Sequence, residues 1–165
     1  MPPVERRDIP PHLDYHLPDT RARRPTEGAR TPMSTPRSCL DLLQAMVAID
    51  SVNATISHRP HPEAALAAYL AEQARAWGLS ADLLPAGEEG SHNLLVRYRP
   101  ADDAPWLLLE SHMDTVGIEG MTVPPLEARV TEGRIYGRGT CDTKGSGAAM
   151  LWALAAYARS ASQPN

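Results

Sequence analysis

The stretch "GRGTCDTKGSG" (Gly137–Gly147) decides how the rest of the chain is interpreted. It holds four of the 11 glycines and the only lysine, Lys144. Glycines beside a lysine, just ahead of an apolar helix, first suggest a loop that cradles phosphate. The residue order excludes that reading, because a GxxxxGK[ST] loop places Ser or Thr directly after the Lys, whereas Gly145 follows here. Asp142 also takes the place of the third glycine in a GxGxxG dinucleotide motif, and its negative charge would repel phosphate.

Composition sets the outer limits on function. The chain has 165 residues, 42% of them hydrophobic, which suits one domain with a real core. A net charge of −4 gives no basic surface for nucleic acid, so no nucleic-acid partner is expected. Two cysteines do not make a disulfide framework. No apolar run approaches the ~18 residues of a membrane span, and the N-terminus lacks a signal-peptide core, so we expect no membrane association and a cytoplasmic location.

The two parts of the chain differ in composition. Residues 1–37 contain eight of the 16 prolines and seven arginines, with little apolar periodicity. Such a segment cannot bury enough apolar surface to offset its ordering entropy, which predicts a disordered extension. A spacer without specific function and a docking arm both stay open for it. From Ser38 onward, regular patterns replace this composition.

The patterns after Ser38 predict an α/β domain. The first is a helix capped by Ser38, with Leu42, Leu43, Met46 and Ile49 on one face, and the second is a helix from Pro62 that ends at Gly78. Two strands follow in "SADLLPA" and "HNLLVRYR", and then a strand buried on both faces at Trp106–Leu109. A hairpin around Glu132-Gly133, with Val130 and Ile135 inward, precedes a final helix from Gly145. We expect a layered sheet with helices on both faces. The chain ends just after a helix that should lead into another buried strand, so we expect a partial domain.

A histidine and an aspartate lie two residues apart in "SHMDTV", at the end of the expected buried strand. Residues i and i+2 of an extended chain project to the same face. We therefore expect His112 and Asp114 to meet at the carboxyl edge of the sheet, where open α/β folds place their sites. A metal-bound imidazole typically donates its second N–H to a carboxylate, a role that Asp114 suits. His-x-Asp alone occurs often by chance, but Asp142 strengthens it, because its glycine-rich turn can present two oxygens to two cations.

Together, "LLLESHMDTV" and "GRIYGRGTCDTKGSGAAML" resemble motifs of the two-zinc amidohydrolases and metallopeptidases related to acetylornithine deacetylase, succinyl-diaminopimelate desuccinylase, aminoacylase and glutamate carboxypeptidase. The resemblance runs from Leu40 to the final helix. It implies that residues 38–165 form the N-terminal portion of a zinc-exopeptidase-like catalytic domain. Ser111, Gly117 and Ser146 stand where Gly, Pro and Gly are common in the family, and none of these departures removes a ligand.

The resemblance implies a role for three residues. His112 is the expected imidazole ligand of one zinc, and Asp114 is the expected catalytic carboxylate that orients it. Asp142 is the expected carboxylate that bridges two zincs in the complete enzyme, with a cis peptide bond to Thr143. Lys144 receives no ligand role. Cobalt stays open as an alternative metal.

The implied activity is hydrolysis of an amide bond in a small N-acyl amino acid or peptide by metal-activated water. In the family the general-base glutamate, the remaining ligands and the lid or dimerisation domain follow later in the chain. We therefore expect this polypeptide to be inactive alone, and a homodimer is open for the full-length enzyme. Glu88-Glu89 precede the histidine motif in a polar turn and are interpreted as solvated.

Two other classes of protein stay open at this point. One is a non-catalytic metal-binding or interaction module derived from such an enzyme. The other is an unrelated α/β domain whose glycine loop is purely structural. Tight zinc binding by the chain alone would favour the module.

Overall fold

The computed structural model describes residues 35–87, 91–99 and 105–161. Its elements in these residues are α1 (Cys39–Ala48), α2 (Ala54–Ser57), α3 (Ala64–Ala76), β1 (Ser80–Pro85), β2 (His92–Arg97), β3 (Arg129–Thr131), β4 (Arg134–Tyr136) and α4 (Lys144–Ala161). No helix in this described part of the chain is long and apolar enough to cross a membrane. Residues 1–34 and the Glu88-Glu89 turn lie outside the described residues, so the predicted division into 1–37 and 38–165 stays a prediction.

The helices α1 and α3 begin and end close to where the sequence indicates. Ser38 caps α1, because its Oγ accepts a hydrogen bond of 3.0 Å from the amide of Asp41. Gly78 follows the end of α3 with a φ of +81°, a left-handed conformation that glycine adopts without strain. The four-residue helix α2 differs from the loop predicted there, and Asn53 begins it by capping its first turn.

The strands β1 and β2 pair antiparallel from Ser80↔Arg97 to Pro85↔His92, which confirms the two predicted strands. This hairpin packs against α3. Its position gives α3 a sheet on one side, although the sheet has only two strands.

The short strands β3 and β4 form the predicted hairpin. Glu132 and Gly133 connect them with positive φ angles of 50° and 72°, the combination that a two-residue type I′ turn requires. Val130 pairs with Ile135 across the hairpin. The prediction that Val130 points inward is wrong, since its side chain is 43% exposed on this narrow two-stranded ribbon.

The core lies around α3, which contributes to two buried clusters. The first joins α3 to α1 and the start of α4 through Leu42, Met46, Leu66, Tyr69, Leu70 and Ala148. The second joins α3 to β1 and the later turns of α4 through Ala71, Ala74, Leu79, Ala81, Ala155 and Ala158. Because α4 takes part in both clusters, the turn that precedes it is held at a fixed place against the core.

The predicted layered sheet is not seen in the described residues, which contain helices and two separate two-stranded antiparallel sheets. Trp106–Leu109 pair with no strand in residues 35–87, 91–99 and 105–161, and their side chains are 63%, 82%, 79% and 48% exposed. The prediction of a strand buried on both faces is therefore wrong for this structure. Such a strand needs neighbours on both edges and a layer on each face, whereas the bridge seen nearest to it is a single parallel one between Val52 and Thr115.

Candidate metal centre

The structure brings the three predicted site residues together. His112 Nε2 lies 3.0 Å from Asp142 Oδ1, although thirty residues separate them in sequence. On the other edge of the ring, His112 Nδ1 lies 3.0 Å from the backbone oxygen of Asp114 and 3.1 Å from its Oδ1. The side chains are partly to largely open to solvent, at 50% for His112, 38% for Asp114 and 85% for Asp142.

The contacts of His112 decide which nitrogen is available to a metal. A carbonyl oxygen can only accept a hydrogen bond, so Nδ1 must carry a proton to donate to the backbone oxygen of Asp114. In the neutral ring, Nε2 is then the nitrogen with the lone pair, and it is the one that faces Asp142. The arrangement matches the pairing of carboxylate, histidine and metal in which the carboxylate fixes the tautomer.

The geometry of this donor pair fits a divalent metal. Two donors on a tetrahedral zinc, each about 2.0–2.2 Å from it, lie about 3.4 Å apart. The 3.0 Å between His112 Nε2 and Asp142 Oδ1 is within a few tenths of an ångström of that value. Asp114 cannot join them on one ion, because it contacts the opposite edge of the ring. Accordingly, no group of three or more His, Cys, Asp or Glu able to hold a metal is found within the described ranges.

The electrostatics of His112 follow from the same contacts. Partial burial would lower the pKa of His112, but the hydrogen bond to Asp142, the hydrogen bond to Asp114 and the charges of both carboxylates outweigh it, so its pKa is raised. A proton on Nε2 and a metal at Nε2 therefore compete for the same lone pair.

Hydrogen bonds hold the His112 segment to the connection after α1. Ser51, which is 1% exposed, donates from Oγ to the backbone oxygen of Met113 over 2.8 Å. The amide of Thr115 donates to the oxygen of Ser51, and the amide of Asn53 donates to the oxygen of Thr115, each over 2.9 Å. These bonds run on both sides of Asp114 and set its backbone position.

The turn that carries Asp142 is tight, and its glycines are required by their neighbours. The peptide bond from Asp142 to Thr143 is cis, as the family resemblance implies. Gly139 has a φ of +83°, and a Cβ there would lie 2.9 Å from the Cγ2 of Thr115 and 3.1 Å from the Cδ of Lys144. A Cβ at Gly145 would overlap the backbone oxygen of Thr140. Close backbone approach, expected from the sequence for this loop, is thus what its glycines provide.

Lys144 is the residue of this turn whose role the sequence does not predict. It is 1% exposed, and its Nζ donates to the backbone oxygens of Met46 (3.0 Å) and Ile49 (2.7 Å), at the end of α1. Burial lowers the pKa of Lys144 to about 8, and the negative charge of Asp50 offsets part of this decrease. The one available signal was its singularity, since the other 15 basic residues are all arginines.

Comparison with known proteins identifies the family of the chain. The chain is 35% identical over 130 residues to succinyl-diaminopimelate desuccinylase of Gluconacetobacter diazotrophicus, an alignment that covers 78% of this chain and 31% of the relative. A model of peptidase family M20/M25/M40 matches residues 108–165, which contain His112, Asp114 and Asp142. The chain belongs to the M20 peptidase family.

Other relatives of this M20 chain carry related names. It is 34% identical over 118 residues to acetylornithine deacetylase of Proteus mirabilis, covering 70% of this chain and 30% of the relative. It is 42% identical over 69 residues to the N-fatty-acyl-amino acid synthase/hydrolase PM20D1 of Homo sapiens, covering 41% of this chain and 14% of the relative. The M20 chain therefore spans less than a third of the length of each of these curated relatives.

Proposed function

We propose that this M20 chain contributes part of a zinc centre for hydrolysis of amide bonds in small N-acyl amino acids or peptides, with cobalt as an alternative metal. His112 and Asp142 are the proposed ligands, and Asp114 is the proposed residue that orients His112. The observation that carries this proposal is the 3.0 Å separation of His112 Nε2 and Asp142 Oδ1. The names of the relatives, a desuccinylase and a deacetylase, support an acylated amine as the substrate class.

The residues of the chain each contribute a distinct part of this chemistry. Asp114 keeps the proton of His112 on Nδ1, so that the neutral nitrogen Nε2 is presented to the metal. Asp142 contributes negative charge. Because its carboxylate is 85% exposed, its second oxygen is accessible to a further cation. When bound, zinc supplies a water of lowered pKa and polarises the carbonyl to be attacked.

The second candidate function is metal binding without catalysis. One observation favours it for the chain alone: in the described ranges only two donors, His112 Nε2 and Asp142 Oδ1, converge, whereas a closed zinc site has four ligands. We therefore propose that the 165-residue chain binds zinc weakly and does not hydrolyse amides by itself.

Zinc titration by calorimetry tests the ligand assignment. We expect His112→Ala and Asp142→Ala each to weaken zinc binding by at least about tenfold, because each removes one of two converging donors. His92→Ala and Asp82→Ala are the matched controls, since they remove the same groups from the hairpin β1–β2 and should leave the affinity unchanged. Equal affinity in wild type and both site variants would remove the metal assignment.

Hydrolysis assays test the second part of the proposal. The zinc-loaded chain, freed of copurifying enzymes, is expected to show no turnover of N-succinyl or N-acetyl amino acids. Turnover that is lost in Asp142→Ala would show that the chain alone is a complete enzyme and would contradict the proposal of an incomplete site.

A further inference from the structure

Lys144 occupies a place where an isolated lysine is unfavourable. It is the first residue of α4, at the positive end of the helix dipole, and it is 1% exposed. A cation is normally stabilised at the other end of a helix, and lysine is almost never fully buried unless it is paired. The position therefore calls for an interaction strong enough to offset both effects.

The C-terminal end of α1 supplies that interaction. The last carbonyls of a helix have no partner within it and carry partial negative charge. α1 has no basic residue in its own last turn, and the ammonium of Lys144 binds the carbonyl of Met46 in that turn and the carbonyl of Ile49, the residue that follows the helix. Lys144 thus caps α1 from a position 95 residues later in the chain.

The residues that follow α1 also hold the segment that carries His112. Residues 49–53 connect α1 to α2, and we call them the connection. Ser51 of the connection binds the backbone on either side of Asp114, through its Oγ and its carbonyl oxygen. The turn that carries Asp142 and the segment that carries His112 are therefore attached to one short stretch, the first by Lys144 and the second by Ser51.

Asp142 depends on this attachment because its own side chain is hardly held. Its carboxylate is 85% exposed, and its one hydrogen-bond partner among the described residues is His112. The backbone of the turn must then place it. That backbone is closed by the bond of 2.8 Å from the Lys144 amide to the Gly139 oxygen, and Gly139 packs directly on the Lys144 side chain.

We propose that Lys144 is a positioning residue: by anchoring the Asp142 turn to the end of α1, it sets the distance between Asp142 Oδ1 and His112 Nε2. Its effect on metal affinity rests on the proposed function, whereas its effect on that distance does not. The proposed role of Lys144 involves no contact with substrate or metal, because Lys144 acts through the backbone of the turn.

The test is ¹⁵N NMR of the full-length chain with ring-labelled histidine, without metal and at one fixed pH. His112→Asn assigns the His112 signals, and Asp142→Asn shows where Nε2 resonates without its carboxylate partner. Lys144→Met keeps the apolar stem and removes the charge and the donors. We expect it to move the Nε2 signal most of the way to its place in Asp142→Asn, while the Nδ1 signal, set by Asp114, stays as in wild type.

Two further variants keep the result interpretable. Leu79→Ala weakens the core far from the connection, so it should leave the Nε2 signal unchanged if the effect of Lys144 is specific. Lys144→Gln retains N–H donors without the charge; if Lys144→Met does not fold, Lys144→Gln should shift the same signal in the same direction by less. A folded Lys144 variant with the wild-type Nε2 signal, or an equal shift in Leu79→Ala, would overturn the proposal.

Zinc titration of the same variants separates this inference from the proposed function. We expect Lys144→Met to lower zinc affinity by about 10–100-fold, the range seen when residues that support metal ligands are replaced. If wild type binds no zinc but the Nε2 signal still depends on Lys144, the proposed function fails and the positioning role stands. If zinc binds equally to wild type and to Lys144→Met with a displaced Nε2 signal, the positioning role has no effect on the metal and is overturned as a support of the site.

Discussion

Two segments lead into the candidate site, and they differ sharply in how they are held. Trp106–Leu109, before His112, are four apolar residues with side chains 48–82% exposed. The turn 137–144, which leads into α4 and ends at its first residue, is rich in polar residues and glycine, yet Gly139 and Lys144 within it are buried. The more apolar segment is thus the less buried one. Apolar composition places a segment only where a complementary surface exists, whereas specific hydrogen bonds to α1 place the turn directly.

The largest effect is expected at Gly145, where the start of α4 closes against the backbone of the turn at Thr140. Gly145→Ala should destabilise the protein by about 2–3 kcal/mol, because the added Cβ overlaps the backbone oxygen of Thr140. Helix propensity alone predicts the opposite sign, since Ala stabilises a helix by about 1 kcal/mol relative to Gly. Urea unfolding measures the difference, and a stabilised Gly145→Ala protein would show that the turn is looser than described.

A smaller loss of stability is expected at Ser51, which holds the segment that carries His112. Ser51→Ala removes a buried hydroxyl and leaves the Met113 oxygen without that donor, which should cost about 1–3 kcal/mol. Ser80→Ala is the matched control, because Ser80 also donates to a carbonyl, that of Arg97, but in an exposed setting. The control should change the free energy of unfolding by less than about 0.5 kcal/mol, and equal losses in the two variants would contradict the anchoring role of Ser51.

Substitutions in the exposed segment Trp106–Leu109 should change the stability least. Leu107→Ser and Leu108→Ser are expected to change the free energy of unfolding by less than about 0.5 kcal/mol, since these side chains are 82% and 79% exposed. They should instead reduce self-association, because adjacent exposed apolar side chains favour it. Urea unfolding and light scattering at several protein concentrations check both expectations, and a loss of several kcal/mol would mean that the segment is buried in solution.

A further small effect is expected in the pH dependence of the metal-free protein. The pKa of His112 is raised on folding, so its contribution to stability is fully present below its unfolded pKa of about 6.5 and is lost as pH rises through the folded value. Stability of wild type relative to His112→Asn should therefore be constant well below pH 6.5 and should decline as the pH rises above about 6.5. Urea midpoints of both proteins below and above this pH give the difference, and a rising difference would reverse the sign of the shift.

Local signals in the sequence predicted much of this structure. The Ser38 cap, the Gly78 stop and the Glu132-Gly133 turn each depend on neighbouring residues only, and all three are confirmed. The exposure of Trp106–Leu109 could not be predicted, because an apolar run indicates a buried strand only if other strands and layers surround it.

For the candidate site, too, one part could be predicted from the sequence and another could not. The motif order and the family resemblance selected His112, Asp114 and Asp142, and the structure places these residues together; their roles stay proposals. The burial of Lys144 could not be predicted, because its partners are backbone oxygens 95 and 98 residues earlier, which carry no side-chain signature. Its carbonyl partners could be identified only in three dimensions.

The central claim is that the two segments meet to present His112 Nε2 and Asp142 to one metal ion while Asp114 holds Nδ1. The most direct measurement is zinc titration of the ring-labelled chain, followed by ¹⁵N NMR of His112. We expect zinc to change the Nε2 signal to that of a metal-bound nitrogen and to leave Nδ1 protonated, and we expect Asp142→Ala to weaken this response strongly. Zinc that binds through Nδ1, or that leaves both His112 signals unchanged, would contradict the central claim.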